Sequence, residues 1–279
     1  MNNTKLNTIL KEIDDLKKIR KYDNVALKEL RELPSFNGLC ELSFNHLDFY
    51  MINISNDDAV PLKYLWRNYY EEFSINLWFK MTRLDGCFLD IGAHTGIYTI
   101  VGNLEKTNNQ IISIEPYFIN FSRLLSNLKI NNIDTSKCVL GAATNTEGFA
   151  KIDIKTNLDY HTSGGTISDE GNFNVSKIKI DNLKLNKKIK GMKIDTEGHE
   201  FQVLDGAKKY LFQDRPNIIF EINEKSCDQC IELLSSYKYE FYFIDEIKKH
   251  FLPMKIFNQS FLRPEGSNCY ATTNRELIS

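Results

Sequence analysis

The stretch that decides the fold is Phe88-Leu89-Asp90-Ile91-Gly92-Ala93-His94-Thr95-Gly96. Its apolar residues predict a buried strand, and its glycines predict a tight turn that opens a helix. The apolar run from Ile111 to Ile114 predicts a second strand, which ends in Glu115. An α/β fold holds an adenosine cofactor in this way, because glycines let the backbone approach the ligand and the acid accepts hydrogen bonds from the ribose hydroxyls.

The glycine spacing indicates which adenosine cofactor binds. Dinucleotide-binding turns have the pattern G-x-G-x-x-G, whose middle glycine makes room for a pyrophosphate. Here His94 occupies the middle position between Gly92 and Gly96, so a pyrophosphate would meet an imidazole. The form Asp-x-Gly-x-x-x-Gly suits S-adenosylmethionine, which has no phosphate, and Asp90 could order the turn or hold the cofactor's ammonium group directly or through water. The ATPase pattern G-x-x-x-x-G-K-[ST] is absent from the sequence.

Composition and charge narrow the class of protein. A net charge of −2 gives no global field that favours nucleic acid. Neither a signal-peptide pattern nor an apolar run of membrane-spanning length is evident, and most of the six cysteines lie in apolar segments, as reduced thiols do. We therefore expect a cytoplasmic protein. Cys227 and Cys230 form a C-x-x-C within a predicted helix and lack a second ligand pair, which favours a structural role over zinc binding.

The chain divides into an extension and a main domain. Residues 1–35 predict a helical extension whose apolar stripe packs either on its own domain or on a second subunit of a homo-oligomer. Residues 36–279 form the main domain, which begins with a β-hairpin over 39–54 and an aromatic-rich helix over 62–84. Helices are predicted at 96–106, 117–129, 199–211 and 224–236. Strands are predicted at 87–91, 110–115, 137–142, 190–194, 217–222, 239–244 and 268–272.

This alternation of strands and helices predicts an α/β fold of Rossmann-like type, a mostly parallel seven-stranded sheet with helices on both faces. Ligands bind outside the carboxyl ends of the strands in such sheets. The rule places one residue of each of five strands on the ligand rim: Asp90, Glu115, Ala142, Asp195 and Glu221. The predicted cofactor-binding residues are Asp90, Gly92, Ala93, His94, Gly96, Glu115, Ala142 and Asp195.

A second cluster of polar residues, Lys193-Ile194-Asp195-Thr196-Glu197-Gly198-His199-Glu200, lies at a predicted strand-to-helix junction on the same rim. Some of its members suit the helix N-terminus. A side chain there can accept a hydrogen bond from a free backbone N–H group, and an acidic side chain is stabilised by the positive end of the helix dipole. The rim position indicates that at least one of the others faces the acceptor.

These motifs together resemble the FkbM-type methyltransferases, a branch of the class I S-adenosylmethionine-dependent enzymes. The resemblance covers roughly residues 60 to 250. Two departures concern histidines, since the family usually has Asn at the position of His94 and commonly a small residue at that of His199. The matching segments are Leu89 to Thr99, Glu115-Pro116, Leu124 to Asn132, Ile178 to Leu183, Lys193 to Glu200, Leu204 to Ala207 and Phe220-Glu221.

The resemblance implies O-methylation of a hydroxyl, often on a sugar that is nucleotide-linked or part of a surface glycan. A composition rich in Lys and Asn is typical of an AT-rich microbial genome, for which a sugar destined for capsular or other surface polysaccharide is the favoured acceptor. Polyketide and other small-molecule hydroxyls, and nucleic acid, are the alternatives. An NAD-dependent oxidoreductase and a non-catalytic cofactor-binding protein are less favoured.

A sugar hydroxyl needs a base to become a good nucleophile at neutral pH. His199 is the first candidate, Asp195 could orient it or act itself, and Glu197 and Glu221 are reserves. His161 lies in a glycine-containing segment that could cover the acceptor.

A rival route uses a divalent metal to lower the pKa of the acceptor, held by Asp195, Glu221 and Asn223. We favour it less, and predict no resident metal. A diphosphate on the acceptor would need cations, and the candidates are Arg67, Lys80, Arg83, Lys155 and Arg263.

Overall fold

A central sheet organises the computed structural model, which describes residues 3–105, 107–154, 165–167, 170–222, 224, 226–256, 258–263 and 266–278. Within these residues the sheet has eight strands, which in spatial order are β5 Cys138–Leu140, β4 Gln110–Glu115, β3 Cys87–Ile91, β10 Ile189–Ile194, β11 Asn217–Glu221, β14 Asn268–Thr272, β12 Glu240–Asp245 and β13 His250–Met254. The first five of these run parallel to one another. The strand β14 is antiparallel to both of its neighbours, and β13 adds an antiparallel edge.

Helices cover both faces of this sheet, and two separate apolar clusters of buried side chains lie between the layers. The predicted α/β architecture is therefore confirmed. The described helices are α1 Asn3–Ile19, α2 Leu27–Arg31, α3 Ala59–Arg67, α4 Glu72–Thr82, α5 Ile97–Asn103, α6 Phe118–Ile130, α7 Glu200–Asp205, α8 Lys208–Gln213 and α9 Cys227–Ser236.

The strand count differs from the prediction by one. The extra strand, β13, pairs with β12 along its whole length and places Pro253 opposite Tyr242. Proline lacks an N–H group and is tolerated mainly at a sheet edge, which is where β13 lies. Because it contains this proline, the sequence of residues 250–254 does not match the pattern of a strand.

A second sheet begins where the chain leaves the first. The predicted strand 137–142 is divided at Gly141, and a Cβ atom there would lie 2.6 Å from the side chain of Ile178. Ala142 consequently belongs to a second sheet, which has four strands among the described residues. In spatial order these are β6 Ala142–Thr144, β9 Phe173–Lys179, β7 Phe149–Ile154 and β8 Gly165–Ile167.

Two predicted helices are interrupted. The helix over 62–84 ends at Asn68, which adopts φ of 64°, a left-handed conformation common after a helix end. It resumes as α4, where the Glu246 carboxylate accepts hydrogen bonds from the backbone N–H groups of Phe73 and Ser74. The helix over 199–211 is divided at Gly206, whose Cβ would lie 2.2 Å from the carbonyl oxygen of Thr144. Because of the first break, residues 68–71 turn toward the ligand rim, where Tyr70 lines the cavity described below.

The N-terminal helices pack on the rest of the chain. Ile13 of α1 and Leu30 of α2 are buried in the same apolar cluster as α3 and α4. The Lys17 ammonium donates to the carbonyl oxygen of Leu65 and to Oδ1 of Asn68, at 2.8 Å each. Part of the apolar stripe thus packs on its own chain, and a subunit contact through α1 stays a prediction.

The predicted hairpin is confirmed as β1 Asn37–Phe44 paired with β2 Leu47–Ile54. Asn45 and His46 form its turn with φ of 48° and 64°, as a type I′ turn requires. Across the described parts of the chain, helices are all too short or too polar to cross a lipid bilayer.

Candidate active site

A cavity of about 370 Å³ lies beyond the carboxyl ends of β3, β4 and β10. The turn after β3, the end of β4 and the segment after β10 form its floor. One wall comes from α2 and the α3–α4 junction, through Arg31 and Tyr70. The opposite wall comes from the second sheet, through Ile152 and Ile167. Segments far apart in sequence therefore meet at the predicted ligand rim.

The glycine turn has an unusual backbone. Gly92, His94 and Gly96 have φ of 77°, 50° and 101°. A Cβ atom on Gly92 would lie 1.7 Å from the carbonyl oxygen of Asp195, so only glycine lets the two motifs touch. Gly96 has a φ that favours glycine, and a Cβ there would also lie 2.5 Å from Cδ1 of Leu124, so that this side chain would have to shift. Asn and His are both among the residues that tolerate a left-handed conformation, which explains how His94 can stand where the family usually has Asn.

The N–H groups of this turn are used within the protein. Those of Gly92 and Ala93 donate to the carbonyl oxygen of Ile114 at 2.8 and 3.0 Å. The N–H of His94 donates to Oε2 of Glu115 at 2.9 Å. A phosphate-binding turn points such groups at the ligand. Gly92, Ala93 and His94 therefore do not present their N–H groups to a ligand as the residues of a phosphate-binding turn do.

Glu115 lies at the end of β4 and is 5% exposed. Each oxygen accepts one backbone N–H, from His94 and from Tyr117 at 2.9 Å. Burial raises the pKa of Glu115, and the nearby His94 and these donors oppose that rise. The carboxylate is thereby fixed in place at the cavity floor.

Asp90, on the floor of the cavity, is held by a hydroxyl chain. Its Oδ2 accepts a hydrogen bond from Thr99 at 2.6 Å, and the Thr99 hydroxyl lies 2.6 Å from that of Ser113. Burial raises the pKa of Asp90 to about 6, against the opposing effects of Thr99 and Lys193. Asp90 is therefore largely ionised at neutral pH.

Asp195, which directly follows β10, is held by a buried lysine of that strand. The Lys193 ammonium is 1% exposed, lies 3.0 Å from Oδ2 of Asp195 and donates to Oδ1 of Asn268 at 3.3 Å. Asn268 in turn donates to Glu71 and to the hydroxyl of Ser74, each at 3.2 Å. Burial alone would lower the pKa of Lys193, but Asp195 and Glu71 raise it above its ordinary value. The lysine thus stays charged and orients Asp195.

Glu200 has a structural role in the second motif. Its Oε1 accepts hydrogen bonds from the N–H groups of Thr196 and Gly198 at 3.1 and 3.0 Å, and its Oε2 accepts one from Ser226 at 2.6 Å. It therefore holds the segment after β10. Within that segment Glu197 adopts φ of 54° and lines the cavity, and burial together with Asp195 raises its pKa.

His199 lines the cavity with a defined hydrogen-bond partner. Its Nε2 lies 3.1 Å from Oγ1 of Thr144. The Thr144 hydroxyl donates to Oδ1 of Asn145 at 3.4 Å, so we assign the N–H to Nε2, as donor to Thr144. Nδ1 is then the nitrogen that can accept a proton. Burial lowers the pKa of His199, which keeps the ring neutral at neutral pH.

Glu221 lies beside the cavity, at the end of β11. Its Oε2 is buried and has no hydrogen-bond partner among the described residues. Burial, together with Asp195 and Glu197, raises the pKa of Glu221 to about 9. This carboxyl consequently carries a proton at neutral pH.

The structure brings most of the predicted site residues to one cavity, with Gly96 and Glu221 close by but outside its lining. The residues that line it are Asp90, Gly92, Ala93, His94, Glu115, Ala142, Asp195, Glu197 and His199. Asn223, His161 and Lys155 lie outside the described residues.

Sequence reasoning missed Arg31 and Asn120, which line the cavity together with Tyr70, one of the aromatic residues of the predicted helix over 62–84. Asn120 follows the Glu115-Pro116 pair within the first turn of α6, a position that could have signalled it. Arg31 had no local signal, because it belongs to a segment assigned to the extension.

The cations predicted for a diphosphate do not line the cavity where they are described. Arg67 donates to the carbonyl oxygen of Val25 at 2.7 Å, and Arg83 pairs with Glu105 at 3.0 Å. Arg263 donates to the carbonyl oxygen of Ser260.

No metal-ligand cluster supports the rival route within the described residues, where no group of three or more His, Cys, Asp or Glu side chains could hold an ion. The C-x-x-C motif lies in α9, where Cys227 and Cys230 are buried free thiols, and burial raises the pKa of Cys227 to about 12.

The parallel strands, the antiparallel β14 between β11 and β12, and a site at the carboxyl ends define a class I methyltransferase fold. The chain belongs to the FkbM methyltransferase family, since the family model described as "Methyltransferase FkbM domain" matches residues 90–241.

Among solved structures, the chain is similar to the FkbM methyltransferase of Methylobacillus flagellatus KT, with 16% identity and a TM-score of 0.46 over 88% of this chain and 57% of that one. It is also similar to M. jannaschii TYW2 in complex with AdoMet, with 12% identity and a TM-score of 0.43 over 86% of each chain. A third is the precorrin-6y C5,15-methyltransferase of Geobacter metallireducens GS-15, with 15% identity and a TM-score of 0.41 over 71% and 86%. No curated protein matches the sequence.

Proposed function

We propose that the protein transfers a methyl group from S-adenosylmethionine to a hydroxyl of a sugar, in nucleotide-linked form, for capsular or other surface polysaccharide. The observation that carries the proposal is the glycine turn, whose N–H groups at Gly92, Ala93 and His94 are used internally. A turn of this kind suits a cofactor without phosphate. We place the reaction in the cytoplasm, where the six free cysteines stay reduced.

The charges lining the cavity fit this cofactor. Of the described lining residues, four are acids, namely Asp90, Glu115, Asp195 and Glu197, and only Arg31 and Lys193 are lysine or arginine. S-adenosylmethionine carries a sulfonium and an ammonium group, and an acidic cavity stabilises both. Asp90 and Asp195 would hold the amino-acid end, and Glu115 would hold the ribose. The bound cofactor supplies an electrophilic methyl group.

His199 is our choice of base. Thr144 fixes its tautomer, so that Nδ1 could accept the proton that the acceptor's hydroxyl group gives up. Glu221 ranks behind it, because a carboxyl that is protonated at neutral pH cannot accept a proton. The residues around the cavity otherwise align the hydroxyl, an effect worth about 7–11 kcal/mol in favourable cases.

The acceptor would lie against the wall formed by Arg31 and Tyr70, since the floor is occupied by the cofactor. The Arg31 guanidinium supports a nucleotide-linked sugar, because arginine binds phosphate oxygens through two parallel hydrogen bonds. The Tyr70 ring offers a flat surface to a sugar. A neutral acceptor, such as a polyketide hydroxyl, would gain nothing from Arg31.

Two measurements test the proposal in sequence. The first compares thermal stabilisation by S-adenosylhomocysteine with that by NAD, and we expect stabilisation by the former alone. The second incubates the protein and S-adenosylmethionine with GDP-, UDP-, CDP- and dTDP-linked sugars and follows the products by mass spectrometry. Gain of one methyl on a nucleotide sugar is expected. No gain across the panel, with S-adenosylhomocysteine bound, would refute the acceptor and leave the cofactor assignment standing.

Variants then assign the base. His199→Gln should lower kcat by about 10²–10⁴-fold. Thr144→Val, which removes the hydroxyl that fixes the tautomer, should lower kcat and leave cofactor binding unchanged. His46→Asn is the matched control, because His46 lies in the hairpin turn and both residues tolerate its left-handed backbone. A fully active His199→Gln would exclude His199 as the base.

A further inference from the structure

Glu71 lies at the turn between α3 and α4, and one oxygen of its carboxylate accepts two hydrogen bonds. Its Oε2 accepts the hydroxyl of Tyr98 at 2.6 Å and the Nδ2 group of Asn268 at 3.2 Å. The backbone of Glu71 is left-handed, with φ of 40° and ψ of 53°. Such a conformation costs free energy in a residue other than glycine, and it is found most often where function requires it. The two donors fix the carboxylate in spite of that cost.

Both of these donors also contact the buried ammonium group of Lys193. That ammonium group donates to Oδ1 of Asn268 at 3.3 Å, and it lies over the ring of Tyr98 at 5.0 Å from the ring centroid. The side chains of Asn268 and Tyr98 are themselves buried, so water screens the charges at their two ends only weakly. Glu71 is therefore connected to Lys193 by two buried side chains.

Lys193 thus has two acidic neighbours in different surroundings. Asp195 lies 3.0 Å from the ammonium group and lines the cavity, whereas Glu71 lies outside the described lining. Burial would lower the pKa of Lys193, but Asp195 and Glu71 together raise it above its ordinary value. Glu221 is also near, but at neutral pH it carries a proton, since burial raises its pKa to about 9. If Asp195 alone balanced Lys193, a cationic ligand would have to compete with the lysine for one carboxylate.

We propose that Glu71 is a positioning residue, which balances the charge of Lys193 through Asn268 and Tyr98 and so frees the carboxylate of Asp195 for the ammonium group of the cofactor. This inference rests on the proposed function, in which Asp195 holds the amino-acid end of S-adenosylmethionine. Tyr70, which lines the cavity, directly precedes Glu71 in the chain. The same contacts therefore join a wall of the cavity to its floor.

The test is calorimetric binding of S-adenosylhomocysteine and of methylthioadenosine, which has the adenosine and the sulfur but lacks the amino-acid end. Glu71→Gln keeps the shape of the side chain and an oxygen that can accept both hydrogen bonds, and it removes the negative charge. The variant should bind S-adenosylhomocysteine about three- to tenfold more weakly than the wild type and methylthioadenosine equally well. Glu72→Gln is the matched control, because it removes the same charge from the next residue, which pairs with Lys249 at the surface.

A purely structural role for Glu71 gives a different result. A distorted cavity would weaken the binding of both ligands by similar factors, and that outcome would overturn the inference, as would unchanged binding of S-adenosylhomocysteine. Tyr98→Phe serves if the glutamine variant does not fold. It keeps the ring over Lys193 and removes one donor to Glu71, so it should show a smaller loss that is again confined to S-adenosylhomocysteine. A wild type that binds neither ligand would overturn the proposed function and this inference together.

Discussion

Glu221→Gln should change how stability depends on pH. Glutamine has the shape of a protonated glutamate, so it mimics the state that Glu221 holds at neutral pH. Oε2 of Glu221 is buried without a partner among the described residues, and burial with Asp195 and Glu197 raises its pKa from 4.5 to about 9. Below pH 4.5 the substitution should therefore leave the free energy of unfolding nearly unchanged, and at pH 7 the variant should already be more stable than the wild type.

The magnitude follows from linkage. Between pH 4.5 and pH 9 the folded protein holds a proton on Glu221 that the unfolded chain has released. The stabilisation is complete below pH 4.5 and is lost as the pH rises through the folded-state pKa. The slope for one proton is at most about 1.4 kcal/mol per pH unit, and relaxation around a partly exposed group makes about 0.5–1 kcal/mol per unit the expected value. The stability of the glutamine variant does not depend on pH through this position.

Urea unfolding of both proteins at half-unit steps from pH 6 to pH 9 measures this difference. The stability of the variant relative to the wild type should rise steadily over that range. Parallel stability curves would refute the reasoning, because they would mean that Glu221 is ionised in the folded protein. Methyl transfer should continue in the variant at pH 7, and a large loss would restore Glu221 as a candidate base.

Three further substitutions test other parts of the site. Lys193→Met should lower the free energy of unfolding in urea by about 2–4 kcal/mol, because it leaves Asp195, which is one-third exposed, without its counter-ion. A cost below about 1 kcal/mol would contradict the buried ion pair. Gly92→Ala should cost more than about 3 kcal/mol through its clash with Asp195, whereas Gly148→Ala, with open space around its Cβ, should cost only about 1–2 kcal/mol of backbone strain. Equal costs would argue against the clash. For His199, the pKa lowered by burial predicts that kcat/KM stays high at pH 7 and falls only below pH 6.5, as the ring takes up a proton; a profile that is flat down to pH 5 would argue against a histidine base.

The floor of the site was predictable because its chemistry is local. Gly92 and Gly96 sit where the backbone needs positive φ, and Glu115 ends the neighbouring strand. A few residues of sequence contain this information. The alternation of strand and helix likewise fixed the sheet, since each buried parallel strand is a continuous apolar run.

The walls were not predictable, because they depend on long-range packing. Arg31 reaches the cavity only because Leu30 is buried in the core and Arg67 bonds the carbonyl oxygen of Val25. Tyr70 reaches it only because the helix breaks at Asn68. No local sequence pattern around these residues predicts which residues they contact in the folded protein.

The cavity draws its floor and one of its two walls from different stretches of the chain. The floor comes from residues within the family match at 90–241, and Arg31 and Tyr70 lie before it. Under the proposed function, substitutions before residue 90 can alter which acceptor is taken without disturbing the turn or Glu115. The choice of acceptor and the binding of the cofactor's ribose would then depend on different stretches of the chain.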